Sequence, residues 1–338
     1  MTDKILIIGP SWIGDMVMAQ SLFKLIKQRH PHTLIDVLAS SWTFPLLSRM
    51  PQVSRILANP LLHGELKLTI RYQLAKKLQM HQYDQAIVLP NSFKSAFIPW
   101  LAGIPKRTGW LGEYRYGLLN DIRYLDKKRH HLMVEQFMQL GLAASEPLPA
   151  VYPYPDFYVS TTQQQTILAT HQPIWRGQPI LALCIGAQFG TSKRWPEAYF
   201  AEVANQKMKE GWDIWLFGSE AEKPIAEKIM QLTKNRCENL VGRINLHEAI
   251  DLLSLVSGAV TNDSGLMHIT AALNKPLIAL YGSTSPNFTP PLSASATILK
   301  LNLNCQPCFK RECPLEHHRC MQDLLPEQVL AAMTKWKM

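Results

Sequence analysis

Two short segments of the chain carry residue types that could bind an anion and move a proton. The first, TNDSGLMH at 261–268, follows an apolar run and precedes a good helix-forming sequence. Asp263 and Ser264 suit the N-cap of that helix, and Gly265 lets a ligand approach its first turn. The free N–H groups and the helix dipole favour an anion there, and His268 shares a helix face with Ser264. The segment predicts an anion site, and a well-capped helix without a ligand is the alternative.

The second segment, GPSWIGD at 9–15, joins a predicted buried strand at 4–8 to a predicted amphipathic helix. It lacks the Lys-Ser/Thr pair of a Walker loop, and its glycine spacing is not that of a dinucleotide fingerprint. It instead places the carboxylate of Asp15 at the carboxyl edge of a sheet, where α/β proteins bind ligands. The alternative is a first-turn acid that only complements the helix dipole.

Length and composition predict a globular protein of two domains. The chain has 338 residues, of which 47% are hydrophobic and 18% charged. No basic-then-apolar signal segment opens it and no apolar run approaches membrane-spanning length, so we expect a cytoplasmic protein with mostly reduced cysteines. Residues 1–150 carry a net charge of +8 and residues 151–338 only +1. The basic half indicates an anionic partner such as a phosphorylated lipid, a membrane surface or nucleic acid, or simply serves solubility.

Strand and helix signals alternate in both halves, which predicts two doubly wound parallel sheets. Residues 104–130 lack clear periodicity, and a Pro-rich segment at 146–155 is typical of a linker. We therefore predict a domain at 1–160, a second at 170–322, and a C-terminal helix within 323–338 that could pack on either. The predicted strands are 4–8, 34–39, 84–89, 180–185, 213–217, 239–241, 258–261 and 276–281. The predicted helices are 15–29, 66–80, 92–102, 196–209, 221–233, 246–256, 264–273 and 326–337.

With these segments in place, the chain resembles the ADP-heptose:lipopolysaccharide heptosyltransferases of glycosyltransferase family 9. The resemblance spans most of the chain in the expected order. Its motifs are GPSWIGDM at 9–16, LPNSFKS at 89–95, IPKRTGW at 104–110, RYGLLN at 115–120, KRWP at 193–196, TNDSGLMH at 261–268 and ALYG at 279–282.

The resemblance implies a GT-B fold, in which two Rossmann-like domains with parallel sheets face a central cleft. It implies transfer of L-glycero-D-manno-heptose from ADP-heptose, with inversion, to the first heptose of the inner core on Kdo-lipid A in Gram-negative bacteria. The acceptor would be heptosyl-Kdo2-lipid A, reached by peripheral contact with the cytoplasmic face of the inner membrane. No cofactor is required for this chemistry, and we expect no nucleic-acid partner.

The same resemblance assigns roles to residues. Asp15 matches the family's catalytic base, and Lys193 matches the lysine that offsets diphosphate charge. Either Glu220 or Glu222, just beyond a predicted strand, is placed to hold the ribose hydroxyls. The expected donor-binding residues are Lys193, Glu220, Glu222, Asp263, Ser264, Gly265 and His268. The expected acceptor-binding residues, which offer phosphate-pairing cations and a flat ring for a sugar, are Asn91, Ser92, Lys94, Arg107, Trp110 and Arg115.

Four of the six cysteines fall within sixteen residues, interleaved with two histidines. Thiolate clusters in reduced compartments hold zinc or an iron–sulfur cluster, although this spacing is not a standard zinc pattern. We predict a structural metal site at Cys305, Cys308, Cys313 and Cys320, with free thiols or disulfides as the alternatives.

Three other functions compete with the leading one. A nucleic-acid or lipid-binding protein would use the basic half and the Cys/His segment, but that segment lacks a zinc-finger helix pattern. Another GT-B nucleotide-sugar enzyme, such as an epimerase, would differ in base preference. The family member that adds the first heptose, to Kdo, is the nearest rival. PSW at 10–12 and NSFK at 91–94 favour transfer to a heptose instead.

Overall fold

The computed structural model describes residues 3–61 and 64–336. The chain divides into two compact domains, Met1–Pro155 and Asp156–Met338. No helix in the described ranges is both long enough and apolar enough to span a membrane.

The first domain is built on a parallel sheet of six strands. They are β1 (Lys4–Ile8), β2 (Leu34–Ala39), β3 (Arg55–Ala58), β4 (Gln85–Val88), β5 (Lys106–Trp110) and β6 (Asp121–Arg123). Their spatial order is β3-β2-β1-β4-β5-β6, which is the Rossmann order. The apolar run Ile5–Ile8 is buried and lies between β2 and β4, so it forms the centre of the sheet. Chain order reverses between β1 and β4, and the loops after these two strands flank that switch point.

The helices of the first domain cover the faces of this sheet. They are α1 (Ile13–Arg29), α2 (Phe44–Leu47), α3 (Leu68–Gln79), α4 (Phe97–Leu101) and α5 (Met133–Gln139). Helix α1 begins inside the 9–15 segment and buries Met16 to Phe23, which fixes the position of its first turn. Asp15 lies in that first turn.

The second domain repeats the plan of the first. Its strands are β7 (Ile180–Cys184), β8 (Asp213–Phe217), β9 (Glu238–Asn239), β10 (Gly258–Asn262), β11 (Leu277–Tyr281) and β12 (Ala296–Lys300). They form one parallel sheet in the order β12-β11-β10-β7-β8-β9, and the switch point lies between β7 and β10. Four of these strands are buried along their whole length, in keeping with their apolar sequences.

The described residues of the second domain form seven α-helices. They are α6 (Thr161–His171), α7 (Glu197–Lys209), α8 (Lys223–Leu232), α9 (Leu246–Leu253), α10 (Gly265–Ala272), α11 (Arg319–Gln322) and α12 (Pro326–Met333). Helix α9 begins at a capping box in which Asn245 and Glu248 exchange hydrogen bonds with each other's backbone N–H groups. The C-terminal helix α12 packs on α7 and β11, within the second domain.

The prediction of two doubly wound parallel sheets is confirmed, but several elements differ from the sequence-based assignment. Residues 104–130 were expected to be irregular and instead contain β5 and β6. These strands are rich in polar residues and therefore lack the apolar pattern that predicts a strand. The edge strands β3 and β12 were missed because they are half-exposed and lack a continuous apolar run. The predicted helix at 92–102 is a 3₁₀ turn, Phe93–Ala96, followed by the short α4. Pro99 falls in the first turn of α4, where its missing N–H costs no hydrogen bond.

Candidate functional site

At the switch point of the second sheet, one asparagine joins the loops that follow β7 and β10. Asn262 donates from Nδ2 to the carbonyl of Ile185 (3.0 Å) and accepts from the N–H of Trp195 (3.2 Å). The side chain is fully buried, so its hydrogen bonds fix the separation of the two loops. Sequence reasoning placed Asn262 in the motif but gave it no role.

A buried ion pair lies between these two loops. Lys193 Nζ is 2.6 Å from Oδ2 of Asp263, and the two side chains are only 12% and 5% exposed. The same oxygen accepts a hydrogen bond from Thr284 Oγ1 at 2.5 Å. Lys193 also lies over the ring of Phe189, with Nζ 4.8 Å from the ring centroid. The structure therefore brings together two predicted donor residues, Lys193 and Asp263, and adds Thr284 and Phe189.

The helix that follows Asp263 begins as expected, although its cap differs in detail. Ser264 is the N-cap residue of α10 and Gly265 its first helical residue, but the Ser264 hydroxyl makes no capping bond. It lies 3.5 Å from the hydroxyl of Thr261. The carboxylate of Asp263 is directed to Lys193, so the backbone N–H groups of the first turn are not capped by either side chain. Such a helix start can accept an anion.

His268 is buried in α10, close to the Lys193–Asp263 pair. The pKa of His268 is lowered to about 4, mainly by burial; Asp263 opposes the shift and Lys193 adds to it. The imidazole is therefore neutral at physiological pH, so it can donate or accept a hydrogen bond but adds no positive charge.

The two glutamates after β8 differ sharply in environment. Glu222 is 3% exposed, and its Oε2 accepts from the N–H (2.8 Å) and the hydroxyl (2.5 Å) of Ser219. Its carboxylate also lies beside Gly186, at the carboxyl end of β7. Glu220 is 73% exposed and pairs with Lys223 at 2.7 Å. Only Glu222 is held at the edge of the sheet that carries the ion pair.

The first domain presents its own predicted residues at its switch point. Asp15, half-buried in the first turn of α1, follows β1. Asn91, Ser92 and Lys94 follow β4, the neighbouring strand. The N–H of Phe93, within this loop, donates to Glu113 Oε2 at 2.6 Å. The structure therefore brings Asp15 and the 91–94 loop to the same edge of the first sheet.

Three of the predicted acceptor-binding residues donate hydrogen bonds to other groups of the first domain. Arg115 is fully buried and donates to the carbonyls of Pro90 (2.7 Å) and Trp110 and to the hydroxyl of Ser95 (3.2 Å). Burial lowers the pKa of Arg115 to about 10, although Glu113 opposes that shift. The expectation that this guanidinium meets a ligand is therefore replaced by a scaffolding role, in which it ties the 91–94 loop to β5.

Arg107 and Trp110 are likewise turned inward. Arg107 donates to the carbonyls of Leu118 (2.7 Å) and Ile104 (2.6 Å). Trp110 is 5% exposed and its indole N–H donates to the carbonyl of Gln136 (3.1 Å). Trp110 thus offers no open ring face to a sugar, and both residues stabilise the loops behind the candidate site.

The predicted metal site has no support in the described part of the chain. Within the described ranges no three His, Cys, Asp or Glu side chains are arranged to hold a metal ion. Cys305, Cys308, Cys313 and Cys320 are free, half-buried thiols. Burial, followed by the nearby thiols of Cys308, Cys313 and Cys305, raises the pKa of Cys320 to about 11, so this thiol is protonated at neutral pH. The prediction of a structural metal centre therefore has no support among the described residues.

Comparison with known proteins places this geometry in a family. The model of glycosyltransferase family 9 (heptosyltransferase) matches residues 71–319. Lipopolysaccharide heptosyltransferase 2 of Escherichia coli K12 is 43% identical over 336 residues, which cover 97% of this chain and 96% of that protein. Lipooligosaccharide heptosyltransferase 2 of Haemophilus influenzae Rd is 44% identical over an alignment of 346 residues. The alignment covers 98% of this chain and 99% of that protein. The chain belongs to glycosyltransferase family 9.

A solved structure of a family member supports the same assignment. The structure of Escherichia coli ADP-heptose lps heptosyltransferase II aligns with a TM-score of 0.87 at 41% identity, covering 98% of this chain and 97% of the other. The two sheets described above are those of the GT-B fold, and the chain is a glycosyltransferase. The resemblance inferred from the sequence motifs is therefore confirmed.

Proposed function

We propose that this glycosyltransferase moves L-glycero-D-manno-heptose from ADP-heptose to the first heptose of the lipopolysaccharide inner core. The observation that carries the proposal is the matched placement of Asp15 and Lys193, each beside the switch point of one of two like sheets. A carboxylate in one domain and a buried lysine in the other are the groups that an inverting displacement needs. Several similar proteins carry the name heptosyltransferase 2, which favours a heptose acceptor over Kdo.

In this proposal the second domain binds the donor. Lys193 and the first-turn N–H groups of α10 face the diphosphate, and Asp263 with Thr284 holds the lysine in place. His268, being neutral, serves as a hydrogen-bond partner of a phosphate or of the sugar. Glu222 is assigned to the ribose hydroxyls rather than Glu220, because Ser219 holds its carboxylate at the sheet edge beside Gly186, whereas Glu220 is exposed and pairs with Lys223.

The first domain binds the acceptor and removes its proton. The acceptor hydroxyl oxygen forms a bond to the anomeric carbon of the heptose as the bond to the β-phosphate oxygen breaks and ADP departs. Attack from the opposite face inverts the anomeric centre, and the hydroxyl proton passes to the carboxylate of Asp15. Asn91, Ser92 and Lys94 bind the acceptor, while Arg107, Trp110 and Arg115 position their loops. This displacement uses no cofactor.

The proposed acceptor is a lipid, so the enzyme works in the cytoplasm at the membrane surface. Exposed apolar side chains surround the 91–94 loop, and α3 carries basic but no acidic residues. Arg71 joins these elements by donating to the carbonyls of Lys94 (2.8 Å) and Leu66 (2.6 Å). The membrane-facing surface that we propose consists of Leu66, Lys67, Leu68, Tyr72, Lys76, Phe93, Lys94 and Trp100.

Vesicle binding tests this surface. The enzyme should sediment with vesicles of phosphatidylcholine and phosphatidylglycerol and less with phosphatidylcholine alone, because the surface is both apolar and basic. Leu68→Ser with Tyr72→Ser should release it, whereas Tyr124→Ser, which removes another exposed tyrosine of the same domain, should not. Equal binding by the two variants would contradict the assignment of the surface.

The proposed reaction is tested by measuring ADP release with two acceptors. One ends in a single core heptose and the other in Kdo, and ADP-heptose is the donor for both. Turnover with the heptose acceptor alone is expected. Turnover only with the Kdo acceptor would make the enzyme the first heptosyltransferase of the core. Failure with both acceptors while ADP still binds would overturn the sugar and acceptor assignments.

A further inference from the structure

The cysteine-containing segment is bonded directly to the loop that carries Lys193. Ser192 donates its N–H to the carbonyl of Arg311 (3.1 Å) and its hydroxyl to the carbonyl of Lys310 (2.5 Å). The N–H of Phe309 donates to the carbonyl of Ser283 (2.8 Å), which ties the same segment to the loop after β11. At Gly190 the two segments of the chain approach so closely that a Cβ on residue 190 would collide with the backbone carbonyl group of Arg311.

This contact places a second cation beside Lys193. The guanidinium carbon of Arg311 is 5.9 Å from the ring centroid of Phe189, and Lys193 Nζ is 4.8 Å from the same centroid. Arg311 is exposed, and no carboxylate in the described ranges pairs with it. Its backbone is fixed by hydrogen bonds while its charged end stays accessible.

A further cation near Lys193 would complement the charge of a bound diphosphate. Lys193 is paired with Asp263 at 2.6 Å, so together they contribute no net charge. His268 is neutral, and its burial keeps it so. Each phosphate of a nucleoside diphosphate is negatively charged, and the charge on the departing diphosphate grows during displacement. An arginine fork can bind two phosphate oxygens at once.

We propose that Arg311 binds the diphosphate of the donor, with Phe189 supporting both Arg311 and Lys193. The inference rests on the proposed function, since it assigns a further residue to the same donor site. It also gives the 305–320 segment a role that does not involve metal: the segment delivers a cation to the donor loop.

Binding of ADP and AMP to the full-length enzyme tests the proposal. Arg311→Ala should weaken ADP about tenfold, as expected for one charged hydrogen bond, and weaken AMP much less, because AMP lacks the β-phosphate. Arg311→Lys should recover part of the loss. Arg319→Ala, which removes an exposed arginine of the same segment that pairs with Asp323 at 2.8 Å, should leave both affinities unchanged.

Two results would overturn the inference. Unchanged ADP affinity in Arg311→Ala would remove Arg311 from the site, and an equal loss for ADP and AMP would show that the residue only shapes the loop. Lys193→Ala distinguishes a failure of this inference from a failure of the proposed donor site. If Lys193→Ala also leaves ADP affinity unchanged, the donor site is wrong; if it weakens ADP while Arg311→Ala does not, only the inference fails.

Discussion

The two domains share a strand order but prepare their switch points differently. In the second domain, Lys193, Asp263 and Thr284 form a buried, hydrogen-bonded network directly at the sheet edge. In the first domain, the most deeply buried cation, Arg115, lies behind the edge and binds backbone carbonyls, while Asp15 and the 91–94 loop are more exposed. The switch point of the second domain is organised by hydrogen bonds among the site residues themselves. The switch point of the first domain is organised by Arg115, which lies behind the site residues.

This difference suits the proposed ligands. A nucleotide sugar is small and chemically constant, so a rigid network can hold its phosphates in one geometry. A lipid-anchored saccharide is larger and partly outside the protein, so an open edge flanked by exposed apolar side chains suits it better. The repeated fold thus carries two kinds of recognition, and the loops rather than the sheets distinguish them.

The largest effect should come from the first domain. Asp15→Asn should lower turnover by ~10²–10⁴, because general-base catalysis contributes a factor of this size. Steady-state ADP release at saturating substrates measures it. Asp126→Asn, which changes an exposed carboxylate of the same domain, is the control and should be unaffected. Turnover of Asp15→Asn within a few-fold of the unsubstituted enzyme would remove the base from this switch point.

Arg115 tests whether the first domain is organised from behind its site. Arg115→Met should lower the free energy of unfolding of the first domain by ~3 kcal/mol, because buried carbonyl groups lose a charged donor. Urea denaturation followed by a probe in the first domain measures it. Arg129→Met removes an exposed arginine and should have little effect. A stable Arg115→Met enzyme with a raised KM for the acceptor alone would restore Arg115 as a ligand residue.

His268 provides a pH test of the buried network in the second domain. In the unfolded chain this histidine takes up a proton below its ordinary pKa of 6.5, whereas in the folded protein it does so only near 4. Stability is therefore lost as pH falls through this window. Between about pH 7.5 and 5 the unsubstituted enzyme should lose ~2 kcal/mol more than His268→Gln.

Urea midpoints at the two pH values measure the effect of His268, and the exposed His32→Gln is the control. Identical pH dependence in the unsubstituted enzyme and His268→Gln would show that His268 is not held neutral.

The smallest expected effect distinguishes the two glutamates after β8. Glu222→Gln should weaken ADP about tenfold, because a carboxylate–hydroxyl hydrogen bond becomes a neutral one. Glu220→Gln should change it little, since that side chain is exposed. Calorimetric titration of ADP, and of an ADP analogue lacking both ribose hydroxyls, measures the difference. Loss of analogue affinity in Glu222→Gln would indicate a structural role instead.

Sequence patterns predicted the central parts of this molecule better than its margins. The buried strands β1, β7, β8 and β11 are continuous apolar runs, so their existence and parallel arrangement could be predicted. Edge strands such as β3 and β12 are half-exposed and carry no comparable signal. Asp263, Ser264 and Gly265 marked the start of α10, but helix ends depend on packing that the sequence does not display.

For the site, the sequence identified motifs but not the direction of side chains. Lys193 and Asp263 lie 70 residues apart, and their ion pair depends on two neighbouring strands of the folded sheet. Arg115 and Trp110 have the right chemistry for a phosphorylated sugar, yet both point into the domain. Arg311 lies in a segment whose sequence signal is its cysteines, and its proximity to Lys193 depends on a contact between loops 118 residues apart. Residue type predicts possible chemistry, and burial decides whether a ligand can reach it.

The most direct test of the account is to measure ADP affinity and turnover in parallel on Asp15→Asn, Lys193→Ala and the unsubstituted enzyme. We expect Asp15→Asn to bind ADP normally but to turn over slowly. We expect Lys193→Ala to bind ADP ~10–100-fold more weakly, the range expected for hydrogen bonds to a charged group. Weakened ADP binding in a folded Asp15→Asn enzyme, or normal ADP binding in Lys193→Ala, would contradict the division of donor binding and proton transfer between the two domains.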